Sequence, residues 1–153
     1  MNTATSAPRL WIILARAHRA LGTLAERSIA DTGLCLSDFM VLEALLHKGP
    51  LTIGAIQEKV LLATGSMTAA VDRVENKGLV IRTTTKEDRR ARVLQLTDEG
   101  RRIAELAYTR HAQDLERQME VLTAEEKQQL GDLLKKLGHH AGQAVAEQEE
   151  RKS

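Results

Sequence analysis

The sequence predicts a mainly α-helical chain with one small β-hairpin. Three observations lead there. Leu and Ala supply most of the apolar content, which is 42% of 153 residues, while aromatics are only 2%; small and unbranched side chains lose little freedom in a helix. Apolar residues recur at three- and four-residue spacing in several separate stretches. Only the region from Leu79 to Thr97 gathers β-branched residues and alternates.

The elements follow in order. Residues 1–8 read as a disordered tail. From Arg9 to Ala30, Leu10, Ile13, Leu14, Ala17, Leu21 and Leu24 make one helical face, opposite Arg16, Arg19, Glu26 and Arg27. Asp31, Thr32 and Gly33 break it. Ser37 is placed to cap a second helix, with Phe39, Leu42, Leu45 and Leu46 inward, and Lys48-Gly49-Pro50 stops it. Thr52 caps a short third helix carrying Ile53, Ile56 and Val60. After a break at Leu61-Leu62-Ala63, Thr64 or a neighbour starts a fourth, with Met67, Ala70, Val71 and Val74 inward and Gly78 beyond its end.

Two strand-like segments, "LVIRTTT" and "RVLQLT", flank a charged turn and form the hairpin. Thr97, Asp98 and Glu99 open a long fifth helix, since a cap and acids suit a helix N-terminus. Thr123 and Glu126 fit a capping box before a sixth helix, with Leu130, Leu133, Leu134 and Leu137 on one stripe. From Ala144 the polar end reads as a fraying tail, 144–153.

Composition limits what this chain can do. Formal net charge is +1, from 22 Lys+Arg against 21 Asp+Glu, so nucleic acid binding must rest on a local patch. No apolar run approaches the roughly 18–20 residues needed to span a bilayer. Cys35 is the single cysteine, which forbids an internal disulfide and suits a reducing cytoplasm.

The third and fourth helices have helix-turn-helix order, in which the second member can enter a DNA major groove. The hairpin that follows makes the unit a winged helix. With its apolar side inward, the fourth helix exposes Gly65, Ser66, Thr68, Ala69 and Arg73, small or hydroxyl-bearing at its start. Such residues let a helix approach bases and phosphates closely. Between Arg82 and Arg92 stand five cations, Arg82, Lys86, Arg89, Arg90 and Arg92, opposed only by Glu87 and Asp88. An arginine at a hairpin tip can reach into the negative minor groove. On this reading Arg90 enters that groove and Asp88 orients it, while Thr52, Thr64, Ser66, Thr68 and Arg73 serve the major groove or its phosphates.

"GSMTAAVDRVENKGLVIR" followed by "DRRARVLQLTDEG" resembles the MarR family of bacterial transcriptional regulators. The family's wing pattern is Asp, any residue, Arg, then a short strand ending in Leu-Thr, with Gly three positions after the Thr. Asp88, Arg90, Val93, Leu96, Thr97 and Gly100 stand in that register. Upstream, Ser66, Thr68, Val71, Asp72, Gly78, Leu79 and Arg82 match the recognition helix and its exit. The resemblance implies a winged helix-turn-helix (37–97) flanked by N- and C-terminal dimerisation helices (9–36 and 98–143). It also implies a homodimer on double-stranded, roughly palindromic DNA.

Family members often bind a small aromatic or phenolic effector beside the dimerisation helices. By position Trp11, His18, Cys35, Phe39, Met40 and His47 would line such a pocket, although plain core packing accounts for Trp11, Phe39 and Met40 taken singly. Cys35 has no obvious cation near it in sequence and reads as a buried, inert thiol. Adjacent His139 and His140 point about 100° apart on a helix and make a poor metal pair; no metal or other cofactor is expected. No nucleophile, base and oxyanion site appear together, so no enzyme activity is expected. The expectation is therefore a cytoplasmic repressor released by a small aromatic, phenolic or quinone-type ligand. The rivals are a redox-sensing repressor acting through Cys35 and a helical interaction module without DNA binding.

Overall fold

The computed structural model describes residues 5–60, 64–84 and 92–151. Helix α1 (Ala7–Ile29) begins two residues before the predicted start, because Pro8 suits the first helical turn, where its missing N–H costs nothing. A 3₁₀ turn, Ala30–Thr32, follows, and Gly33 at φ 71° turns the chain. Only the C-terminal part of α1 is buried, through Ala25, Ser28 and Ile29.

Helix α2 (Leu36–Lys48) runs through the centre, burying Asp38, Phe39, Val41, Leu42 and Leu45. Its N-cap is Cys35, not Ser37, which lies inside the first turn; the Ser37 hydroxyl is engaged elsewhere, as described below. Helix α3 (Ile53–Lys59) has the predicted cap, with Thr52 Oγ1 accepting from the Ala55 N–H at 3.1 Å. Helix α4 (Thr64–Asn76) sends Met67, Ala70, Val71 and Val74 into the core with no exposed surface.

Strands β1 (Val80–Thr84) and β2 (Arg92–Leu96) pair antiparallel, from Val80 opposite Leu96 to Thr84 opposite Arg92. Leu51 adds a short bridge to Leu94 through two backbone bonds of 3.1 and 2.8 Å. That bridge ties the approach to α3 onto the hairpin, and no sequence pattern announces it.

Helix α5 (Asp98–Met119) leaves the hairpin directly. Its junction explains the Leu-Thr-x-x-Gly spacing. The Thr97 hydroxyl donates to the Gly78 carbonyl at 2.8 Å and accepts from the Gly100 N–H at 3.0 Å. The Thr97 N–H reaches the Leu79 carbonyl at 3.0 Å. A Cβ on Gly100 would lie 1.8 Å from that same oxygen. Only glycine lets the first turn of α5 press on the hairpin backbone.

Helix α6 (Ala124–Glu150) starts with the predicted capping box. Thr123 Oγ1 accepts from the Glu126 N–H at 3.2 Å, and Glu126 accepts from the Thr123 N–H at 2.8 Å. The helix does not stop near Ala144. Ala, Gln and Glu are good helix formers whatever their polarity, so the polar end stays helical to Glu150. The chain falls into two compact units, Met1–Leu115 and Glu116–Ser153. No helix among the described residues is long and apolar enough to cross a membrane.

Candidate DNA-binding surface

Packing fixes which face α4 presents. Met67, Ala70, Val71 and Val74 are buried against the α2 core, leaving Gly65, Ser66, Thr68, Ala69 and Asp72 exposed, with Arg73 beside them. The side chain of Thr64 and residues Lys86, Asp88, Arg89 and Arg90 lie outside the described residues. Arg92 is exposed on β2 opposite Thr84. Arg82, Thr83, Thr84 and Arg92 line a cleft of about 530 Å³ at the base of the hairpin tip. The cap places Thr52 beside the first turn of α3 and leaves it exposed.

Two of the candidate arginines, Arg73 and Arg82, are held by carboxylates. Arg82 Nε donates to Glu75 at 2.9 and 3.2 Å, and its Nη2 lies 3.3 Å from Asp72 Oδ1. This pair ties β1 to the outer face of α4. Arg73 turns towards α2. Its Nε donates to Asp38 Oδ1 at 2.8 Å, and its Nη2 reaches Ser37 Oγ at 2.9 Å and Cys35 Sγ at 3.4 Å. Lys77, one helical turn further, donates to Asp38 Oδ2 at 3.2 Å and to the Gly33 carbonyl at 2.8 Å.

Asp38 is the hub of this cluster. Its side chain is 1% exposed, against 43% for Arg73 and 40% for Lys77. Burial pushes its carboxyl pKa up, but hydrogen bonds from Arg73, Cys35 and Lys77 outweigh that, holding it below the ordinary value. The Arg73 pKa is raised, chiefly by its bond to Asp38. Sequence reasoning missed Asp38, although a signal was present. Asp38, Val41, Leu42 and Leu45 share one helical stripe, and an acid on an apolar stripe marks a buried, paired charge.

The structure corrects the reading of Cys35. The thiol is exposed, not buried. It has a cation beside it after all, Arg73, supplied by α4 rather than by its neighbours in sequence.

The residues proposed for an effector pocket divide. Trp11 is 69% exposed on α1, and His18 is exposed on the same helix. Phe39 is a core residue, with its ring 5.1 Å from that of His111. Met40 is half-buried. His47 is exposed, with its ring edge-on to Tyr108 at 4.5 Å between centroids. Tyr108 and His111 on α5 belong to this junction and were not identified from sequence. The Ser28 hydroxyl lies 2.7 Å from the Ala25 carbonyl and 3.1 Å from His111 Nδ1. Ser28 has one proton, spent on the carbonyl, so His111 Nδ1 carries the donor hydrogen. Among the described residues no three His, Cys, Asp or Glu side chains gather as metal ligands.

Comparison with known proteins places this geometry. The family model described as "MarR family" matches residues 34–91. The HTH-type transcriptional regulator MhqR of Bacillus subtilis is 36% identical over 135 residues, covering 88% of this chain and 93% of MhqR. A cysteine-to-serine variant of MarR from E. coli, crystallised with operator DNA, superposes with a TM-score of 0.75 at 26% identity. It covers 84% of this chain and 92% of that one. PcaV from Streptomyces coelicolor, crystallised with its natural ligand, has a TM-score of 0.69 at 26% identity, covering 92% and 97%. The chain belongs to the MarR family of winged helix-turn-helix transcriptional regulators, which are not enzymes.

Proposed function

We propose that this chain is a cytoplasmic homodimeric repressor of a roughly palindromic operator, released by a small aromatic, phenolic or quinone-type ligand. The observation that carries the DNA reading is the exposed, small and polar start of α4 beside a hairpin whose tip is cationic in sequence. The operator complex of the E. coli relative supports it. On this reading Ser66, Thr68 and Ala69 face the major groove, Arg90 enters the minor groove, and Asp88 holds Arg90 in its working rotamer.

Dimerisation is supported by apolar surface that each unit leaves uncovered. On α1, Leu10, Trp11, Ile12 and Ile13 are all about half exposed or more, and on α6 so are Leu130, Leu133 and Leu137. Contiguous patches of this kind on a single chain mark an interface. A second copy would cover them and set two recognition helices about one helical turn, ~34–36 Å, apart. The domain division that follows is 9–36 and 98–143 for dimerisation and 37–97 for DNA. For the effector, PcaV holds its natural ligand. In this chain His47 and Tyr108, whose rings meet edge-on at 4.5 Å, offer a phenol both apolar contact and hydrogen bonds.

The test is capture of genomic fragments by the purified protein, followed by competition with phenols, aromatic acids and quinones. Recovery of sites sharing an inverted repeat, and their release by one compound class, is the expected result. Recovery of unrelated fragments would refute it.

One observation favours a second reading. Cys35 is exposed and touches Arg73 of the recognition helix, so chemistry at this thiol would reach the DNA-binding face directly. Cys35→Ser separates the two readings. Release by ligand that persists in the variant supports reversible binding; release that disappears supports thiol chemistry.

A further inference from the structure

The Asp38 cluster does more than neutralise a buried charge. Recognition helix α4 carries Arg73 on its C-terminal half, and Lys77 follows one turn on, just past the last helical residue. Both converge on a single carboxylate of α2, at 2.8 and 3.2 Å. Lys77 also bonds the Gly33 carbonyl, where φ is 71° and the chain turns into α2. Arg73 also bonds Ser37 in the first turn of α2. The cluster therefore joins the C-terminal half of α4 to the N-terminus of α2 and to the turn before it. The apolar contacts of Met67, Ala70, Val71 and Val74 resist lateral displacement but are non-directional. Directional bonds to a carboxylate that is itself 1% exposed fix rotation and sliding of the helix.

We propose that Asp38 is a positioning residue for DNA binding. It sets the angle of α4 through Arg73 and Lys77, and those two cations act on the helix rather than on phosphate. This rests on the DNA-binding reading above and deepens it. It departs from the sequence expectation for Arg73, which placed that residue on the groove or its phosphates.

The two roles make different predictions. A cation that neutralises a phosphate contributes about 0.9 to the slope of log affinity against log salt. A cation that acts through Asp38 contributes nothing to that slope. Charge alone would let Lys replace Arg73, yet Lys lacks the planar fork that reaches Asp38 and Ser37 together. Removing the Asp38 charge should, by simple electrostatics, favour approach to a polyanion. The positioning role predicts weaker operator binding instead.

The experiment uses the full-length dimer, an operator duplex recovered with the wild-type protein, and a scrambled duplex of the same composition. Affinities are measured across a salt series for wild type, Arg73→Lys, Arg73→Gln, Asp38→Asn and the Arg73→Gln/Asp38→Asn double variant. Each single variant is expected to lose at least tenfold in operator affinity with scrambled-duplex affinity and salt slope unchanged. The double variant is expected to bind no more weakly than the weaker single one. Should Asp38→Asn fail to fold, Arg73→Lys and Arg73→Gln still decide through slope and specificity. Wild-type binding by Arg73→Lys, a slope lower by about one unit in Arg73→Gln, or additive losses in the double variant would overturn the proposal. Failure to recover any sequence-selective duplex with wild type would instead sink the DNA-binding reading on which it rests.

Discussion

Gly100→Ala adds one methyl group at the joint between hairpin and α5. The new carbon would stand 1.8 Å from the Leu79 oxygen, 2.7 Å from its carbonyl carbon and 3.1 Å from its Cα. The first of these is more than 1 Å inside the 3.0 Å that real Cβ atoms essentially never undercut. The obstacle is backbone and cannot rotate away. It is also pinned, since the Leu79 carbonyl accepts from Thr97 and the neighbouring Gly78 sits at φ 70° under the Thr97 hydroxyl. Relief must come from moving α5 off the hairpin, an overpacking cost of ~1–3 kcal/mol or more. Alanine's better helix propensity returns at most ~1 kcal/mol. The expected net loss is about 2 kcal/mol, or roughly 4–8 °C in melting temperature for a chain of this size. Thermal unfolding at one fixed concentration measures it, because the proposed dimer would melt at a concentration-dependent temperature. Gly54→Ala is the control. It has nothing within 4 Å and lies in α3, so it should melt at or slightly above wild type. If Gly100→Ala melts like wild type, the tight approach of α5 to Leu79 is not what holds the joint.

Other perturbations have equally definite outcomes. Thr52→Ala removes the acceptor at the start of α3 and should cost about 1 kcal/mol in chemical unfolding. Asp38 has a depressed carboxyl pKa in the fold, so its contribution is present above its unfolded value of ~3.9 and fades as pH falls through the folded value. Asp38→Asn should therefore flatten the acid limb of the stability curve below about pH 4; an unchanged limb would show the carboxylate gains nothing from its partners. Arg90→Ala should weaken operator binding by ~1–3 kcal/mol with little change in melting. Asp88→Ala should also weaken it, although it removes a negative charge; tighter binding would make Asp88 a mere repelling charge.

What the sequence made legible was local. Thr52 caps its helix, Thr123 and Glu126 form their box, and the inward face of α4 is the one its spacing marks, because each depends on residues within one or two turns. Most of the misreadings involve partners from another element. Arg73 and Arg82 read as free cations because their counter-ions, Asp38 and the Asp72–Glu75 pair, meet them only after folding. Cys35 read as isolated for the same reason. The frayed end assigned from Ala144 confused polarity with disorder; composition there speaks against burial, not against helix. Phe39 could not be divided between core and pocket until His111 was seen beside it.

The most direct test of the central claim is a hydroxyl-radical footprint of the wild-type protein on a recovered operator, read at low and moderate salt. A dimer with two recognition helices and two wings predicts a symmetric pattern, with protected segments repeating about every 10–10.5 base pairs. It also predicts that protection fades steeply as salt rises. One unsymmetric protected patch, or a footprint indifferent to salt, would contradict it.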